Sequence, residues 1–211
     1  MVEQTDKKKT KKYYDHISVA ARTKQISHFV LPHDKHIMLE QIIKNTSEKK
    51  IVIVTKNKRS ADELNSYLKS KDITAIAIHG NHRLEQQEDA AKAFNAGELD
   101  ILITTDMILK TLELNPIDKI ISYDLPIDPH DYYARVLYVD ERGESISLIS
   151  PDDEKLLVNI EFLMKVEMKE EEVKGFVPST QDAPKPVRDK KKKPRHSKKS
   201  TRKSTKKAEE E

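Results

Sequence analysis

Two short stretches place polar residues where the backbone must change direction. His79-Gly80-Asn81 follows the apolar run Ala75 to Ile78, and Thr104-Thr105-Asp106 follows Ile101 to Ile103. Glycine and asparagine permit a sharp turn, and polar groups at the carboxyl end of a buried strand stand where open parallel sheets bind ligands. The same residues could also be the ordinary turns of a βαβ unit. His79, His82 and His130 lack ligand-like spacing, so no metal site is expected. Asp106 and Asp124 could be imagined as an acid/base pair. No nucleophile or cofactor motif accompanies them, and strand-end aspartates commonly cap helices and turns. With no cysteine in the chain, disulfides, thiolate metal sites and cysteine nucleophiles are excluded.

The elements that must hold these residues alternate in type. Ile51 to Val54 is apolar throughout, as in a strand buried on both faces. Helical spacing follows in Ser60 to Lys69, with Ala61, Leu64 and Leu68 inward, and again where Leu84, Ala90, Ala91 and Phe94 recur before a glycine stop at Gly97. Earlier, Ser27 to Leu31 is a candidate strand, and Asp34 a candidate N-cap for a helix with Ile37, Met38, Leu39, Ile42 and Ile43 on one stripe. Later come a strand at Lys119 to Ser122, a last strand at Ser145 to Ile149 and a closing helix from Asp152 to Met164. This alternation predicts an α/β fold with a mostly parallel sheet.

The ends differ in composition. Residues 1–24 are expected as a flexible arm, extended from Tyr13 to Ser27, residues 25–170 as the folded domain, and residues 171–211 as a disordered lysine-rich tail. From Lys185 to Glu211 there are 13 Lys and Arg against 4 acids, so the rest of the chain carries 26 basic and 32 acidic residues. The net charge of +3 therefore joins a tail of +9 to a body of −6. Such a tail should attract nucleic-acid phosphates without sequence preference; it has no aromatic residue for base stacking. No apolar run is long enough to span a bilayer and no signal core follows Met1, so a cytoplasmic protein without membrane contact is expected.

The run from Ile51 to Ser150 resembles the C-terminal RecA-like lobe of DEAD-box RNA helicases, in particular the RhlE-like branch. VTKNK at Val54 to Lys58 is similar to the family's VFTRTK, IHGN at Ile78 to Asn81 to its helix-entry turn, and LITTD at Leu102 to Asp106 to LVATD. YDLP at Tyr123 to Pro126 is similar to NYDLP, and PHDYYARV at Pro129 to Val136 to PEDYVHRI. The resemblance implies a three-layer RecA-like domain. It also implies phosphate contacts to RNA from Thr55, Lys56, Gly80, Asn81, Thr105 and Lys110, and residual nucleotide contacts from Glu113 and Arg135. To these the basic tail adds Lys190, Lys191, Lys192, Lys193, Arg195, Lys198 and Lys199.

Departures from the family pattern are equally specific. The chain contains neither GxxxxGK[ST] nor DEAD, the motifs that hold ATP phosphates and magnesium. Where HRIGRTGR supplies two finger arginines, Tyr138 and Glu141 stand. QxxR becomes Leu84-Glu85-Gln86-Gln87, and ARGLD becomes Leu109-Lys110-Thr111-Leu112-Glu113, exchanging a bidentate arginine for lysine. No catalytic residue is assigned. The expected function is an RNA-associated binding module without ATPase activity of its own, needing no cofactor in isolation. Two alternatives stand beside it: the C-terminal half of an ATP-dependent RNA helicase, using ATP and Mg with a separate ATP-binding lobe, and a scaffold for ribonucleoprotein partners.

Overall fold

In the computed structural model, which describes residues 16–179, seven strands form one sheet: β1 Lys24–Phe29, β2 Ile51–Thr55, β3 Ile76–Ala77, β4 Ile101–Thr105, β5 Ile117–Ser122, β6 Val139–Ile149 and β7 Lys169–Glu170. Their order is β3-β4-β2-β5-β6-β1-β7, and every pairing is parallel. All seven carboxyl ends therefore lie along one edge. The helices are α1 His16–Arg22, α2 Lys35–Asn45, α3 Lys58–Ser70, α4 Leu84–Ala96, α5 Asp106–Leu109, α6 Pro129–Val136 and α7 Glu154–Met164.

Strand β2 explains the layering. Its side chains alternate between faces, and all five of its residues are buried. Ile51 and Ile53 join Met38, Leu39 and Ile42 of α2 and Ala61, Leu64 and Leu68 of α3 in one core. Val52 and Val54 join Ala90, Ala91 and Phe94 of α4 and Ile108 and Leu109 of α5 on the other side. A third cluster holds α1, α6 and α7 together through Val19, Tyr132, Val136, Leu157 and Ile160. This is a three-layer α/β sandwich, as the alternation of elements predicts.

Several boundaries differ from the sequence reading. Within the segment expected to be extended, Lys24 to Ser27 is extended in β1, but His16–Arg22 is helical: α1 buries Val19 completely and Ala20 nearly so. Two adjacent small apolar residues give no periodic signal, yet they are enough to dock one turn on α7. Asp34 does not cap α2 through its side chain; its carboxylate is buried and accepts from the Ser179 N–H instead. Leu84, the first residue of α4, is exposed rather than inward.

The domain also continues beyond its expected end. β7 adds a strand after the predicted last one, and Val173 and Phe176 pack on the core beside α2. The segment is pinned by Glu171 N–H to Ser27 O at 3.1 Å and by Asn45 Nδ2 to Lys174 O at 2.7 Å. Gly175, at φ +82°, takes the left-handed conformation this bend requires. The flexible-arm expectation before His16 and the tail expectation after Ser179 lie outside the described residues.

Candidate nucleic-acid interface

At the carboxyl edge the predicted residues meet, but with unequal freedom. Thr55 ends β2 with its hydroxyl turned inward, donating to Asn57 O at 3.1 Å and Thr104 O at 3.4 Å, and it is fully buried. Its hydroxyl is thus engaged by the fold and not presented to a ligand. The Lys56 side chain is exposed while its N–H donates to Asp124 Oδ2 at 3.1 Å. Asn57 then caps α3, its Oδ1 accepting from Ser60 N–H at 2.9 Å. This cap fixes the entry of α3 and with it Lys58, whose Nζ donates to Asn81 Oδ1 at 3.0 Å.

The turn carrying Gly80 and Asn81 is held from beneath. His79 is buried, with Nε2 2.9 Å from Asp62 Oδ1 on α3 and its ring 4.3 Å from that of His82. Gly80 and Asn81 are exposed above it. Gly80 has an ordinary negative φ and a Cβ there would touch nothing, so the fold itself does not demand glycine. Asn57, Lys58 and Asp62 were missed by the sequence reading, although the N-cap pattern of Asn57 was visible. The histidine is a structural pin, and among the described residues no acid, histidine or cysteine cluster could hold a metal ion.

On β4, Thr105 occupies the N-cap position of α5 without a side-chain cap bond and is half-buried, so its hydroxyl stands at the edge. Lys110 is exposed and paired with Asp131, whose hydrogen bond raises the amine's pKa above the ordinary lysine value. Glu113 is exposed beside an open groove of about 410 Å³ lined by Leu84, Gln87, Lys92 and Leu112, and its carbonyl accepts from Asn95.

The remaining expected contacts are occupied elsewhere. Arg135 is 1% exposed and forks onto Asp106, Nε to Oδ1 at 2.6 Å and Nη2 to Oδ2 at 2.7 Å, while Nη1 donates to Asp124 O at 2.9 Å. All three faces of the guanidinium are used by the fold. The Tyr138 hydroxyl donates to Leu109 O at 2.8 Å, and burial pushes its pKa up. Glu141 is exposed on the first half of β6. That half starts with a register shift opposite Ile117 and Lys119, and a Cβ on Gly143 would come within 2.6 Å of Asp118 O. Between the pairings of Val139 with Ile117 and of Glu144 with Lys119, β6 therefore bulges, and Glu141 stands in that bulge. Lys190, Lys191, Lys192, Lys193, Arg195, Lys198 and Lys199 lie outside the described residues.

The model of the helicase conserved C-terminal domain matches residues 34–137. The chain is 30% identical over 140 residues to a probable ATP-dependent RNA helicase, ddx41, of Dictyostelium discoideum, covering 64% of this chain and 21% of that protein. Among solved structures, a DEAD-box protein from the hyperthermophile Methanococcus jannaschii superposes with a TM-score of 0.66 at 28% identity, over 73% of this chain and 43% of that one. This chain is a DEAD-box helicase C-terminal lobe. The Escherichia coli DEAD-box protein SrmB, solved bound to the regulator of ribonuclease activity A, shares the fold at a TM-score of 0.71 and 17% identity, over 77% of this chain and 98% of that one. The lobe thus spans about a fifth of the length of its Dictyostelium relative, and 98% of the solved SrmB chain.

Proposed function

We propose that this lobe is an RNA-associated binding module without ATPase activity of its own. The reading is carried by the stretch Arg135 to Glu141. Its one retained arginine is consumed by Asp106 and Asp124, a tyrosine bonded to Leu109 stands at one finger position, and an exposed carboxylate stands at the other. A triphosphate in transfer needs cations at these points, and a carboxylate there would repel it. The residues present do not fit that group, so no hydrolytic step is assigned to them.

RNA binding is supported by the relatives' character as RNA helicases, by the exposed Lys56, Gly80, Asn81 and Lys110 on one edge, and by the charge of the tail. The partner is expected to be single-stranded RNA held through phosphates. Phosphate release assayed with and without RNA tests the first half of the proposal: no turnover above buffer is expected, and RNA-stimulated turnover would overturn it.

A second reading, the C-terminal half of a complete helicase, is favoured by the share of its relatives that the chain covers. Capture of a protein bearing GxxxxGK[ST] and DEAD, followed by ATP-dependent strand separation by the pair, would establish that reading over the first.

A further inference from the structure

We propose that the cleft at the ends of β1, β2, β5 and β6 is a base-reading subsite that takes one guanine of a single RNA strand, with Asp152 accepting from the two N–H donors of its Watson–Crick edge. The proposal rests on the RNA-binding reading above and names the base that phosphate contacts leave unspecified. Helices α2 and α3 pack on one face of the sheet with Ile51 and Ile53, whereas α6 and α7 pack on the other with Ile149. The chain therefore leaves β1 and β2 toward one face and β5 and β6 toward the other. Since β2 lies beside β5 in the sheet, their ends part at a crevice of the kind in which open α/β sheets hold ligands.

The crevice encloses about 380 Å³, within the range of small-ligand sites. Part of its lining is already spent on the fold. Lys35, 5% exposed, donates to Tyr123 O at 3.0 Å, Asp124 Oδ1 at 3.5 Å and Asp153 Oδ2 at 3.3 Å, while the other Asp124 oxygen accepts the Lys56 N–H at 3.1 Å. These bonds tie the four strand ends to one another and fix the walls of the cleft. Two charges are left for a ligand. The Lys56 amine is exposed on the β2 side, and on the β6 side the exposed Asp152 carboxylate has no partner among the described residues. Tyr123, from the strand between them, lends a half-buried ring, and Pro32 adds a second apolar surface.

The arrangement selects a ligand by its charge and by its donors. At about 4.8 Å per strand, the ends of β2 and β6 are roughly 10 Å apart, a gap that a nucleotide spans from its phosphate to the far edge of its base. Lys56 then meets the phosphate, Tyr123 meets the base, and Asp152 meets the Watson–Crick edge, where single-stranded RNA is read. A carboxylate only accepts, through two oxygens side by side. Guanine alone among the four bases presents two adjacent donors there, N1–H and the N2 amino group. Uracil sets its one N3–H between two carbonyls, and adenine and cytosine place a ring-nitrogen acceptor beside the amino donor, which a carboxylate repels. Phosphate contacts carry no such discrimination.

The test uses the full chain and an oligouridylate of about 20 nucleotides, alone or with every fourth residue replaced by guanosine, adenosine or cytidine, followed by fluorescence anisotropy at low salt. The guanosine strand should bind about tenfold more tightly than the other three, the size that one bidentate base contact supplies. Asp152→Asn, which exchanges one acceptor for a donor, should bring that ratio to about one, whichever way the absolute affinities move. Its exposed side chain makes no bond among the described residues, so the variant should keep the parent's denaturation midpoint. Equal affinity of the parent for all the strands would overturn the proposal while leaving the RNA-binding reading in place. A guanosine preference that survives Asp152→Asn would overturn it too, by placing the selection elsewhere on the chain. Failure of the parent to bind any strand would remove the RNA-binding reading and the subsite with it.

Discussion

The two halves of the strand-end edge use their polar residues in different ways. Around β2, β3 and β4 the turn chemistry is intact: Asn57 caps α3, His79 is pinned to Asp62, and Gly80, Asn81 and Lys56 remain exposed. Around β5, α6 and β6 the fold itself engages two of the candidate residues. Arg135 is buried on Asp106 and Tyr138 is tied to Leu109, while Glu141 stays exposed in the bulge of β6 between Val139 and Glu144. The comparison teaches that strand ends on one edge can either leave polar groups free or spend them on the fold, because the donors that would grip a phosphate equally satisfy a buried carboxylate or carbonyl.

Removing Arg135 should have the largest effect. Arg135→Ala leaves Asp106 without its buried partner and is expected to cost about 3 kcal/mol of stability, read by urea denaturation. Arg135→Lys should recover little of it, since lysine cannot supply the three-way fork. A change near zero would mean that Arg135 is free for a ligand and that the contrast between the two halves is false.

Neutralising Lys190, Lys191, Lys192 and Lys193 to alanine should weaken oligouridylate binding more than tenfold at low salt. It should also reduce the salt slope by roughly 3, at about 0.7 per phosphate contact on a single strand. An unchanged slope would transfer the binding to the folded edge. Tyr138→Phe should cost about 1 kcal/mol by leaving the Leu109 carbonyl without its donor, whereas Glu141→Gln should be neutral to within about 0.5 kcal/mol. A larger effect at Glu141 would reveal a structural role for that carboxylate.

pH sharpens the comparison in another part of the sheet. Burial lowers the pKa of His28 against the opposing hydrogen bond with the Glu171 carbonyl. Below the ordinary imidazole value the unfolded chain takes up a proton that the folded chain resists. This contribution to stability is therefore present near neutral pH and lost as pH falls. His28→Gln should flatten the decline in denaturation midpoint between about pH 7 and about pH 5 relative to the parent. A small effect is also expected from Asn81→Ala, which frees Lys58 and should change RNA affinity roughly threefold at most, measured with the same oligonucleotide.

Much of the fold was legible before any coordinates. Ile51 to Val54 is apolar at every position because both faces are covered, and Gly97 stops α4 because it adopts φ +80°, a conformation local chemistry can signal. The helix α1 was not legible, because its docking rests on Val19 and Ala20 alone, and neither was β7, which is two exposed residues long. In the candidate site, Asn81 and Lys56, named through the family resemblance, are exposed at the edge. Thr55 was misjudged because the direction of a hydroxyl at a strand end depends on the loop that follows it.

By itself the sequence determined the alternation of strands and helices, the turn at Gly80, the missing finger arginines and the separation of charge between body and tail. These follow from residue type and short-range spacing. Only the tertiary structure decided who partners whom: Arg135 with Asp106 across 29 residues, Tyr138 with Leu109, and Ser179 with Asp34 across 145. Such pairs arise when strands distant in sequence become neighbours and water is expelled between them. No local pattern records which buried carboxylate will then face which donor.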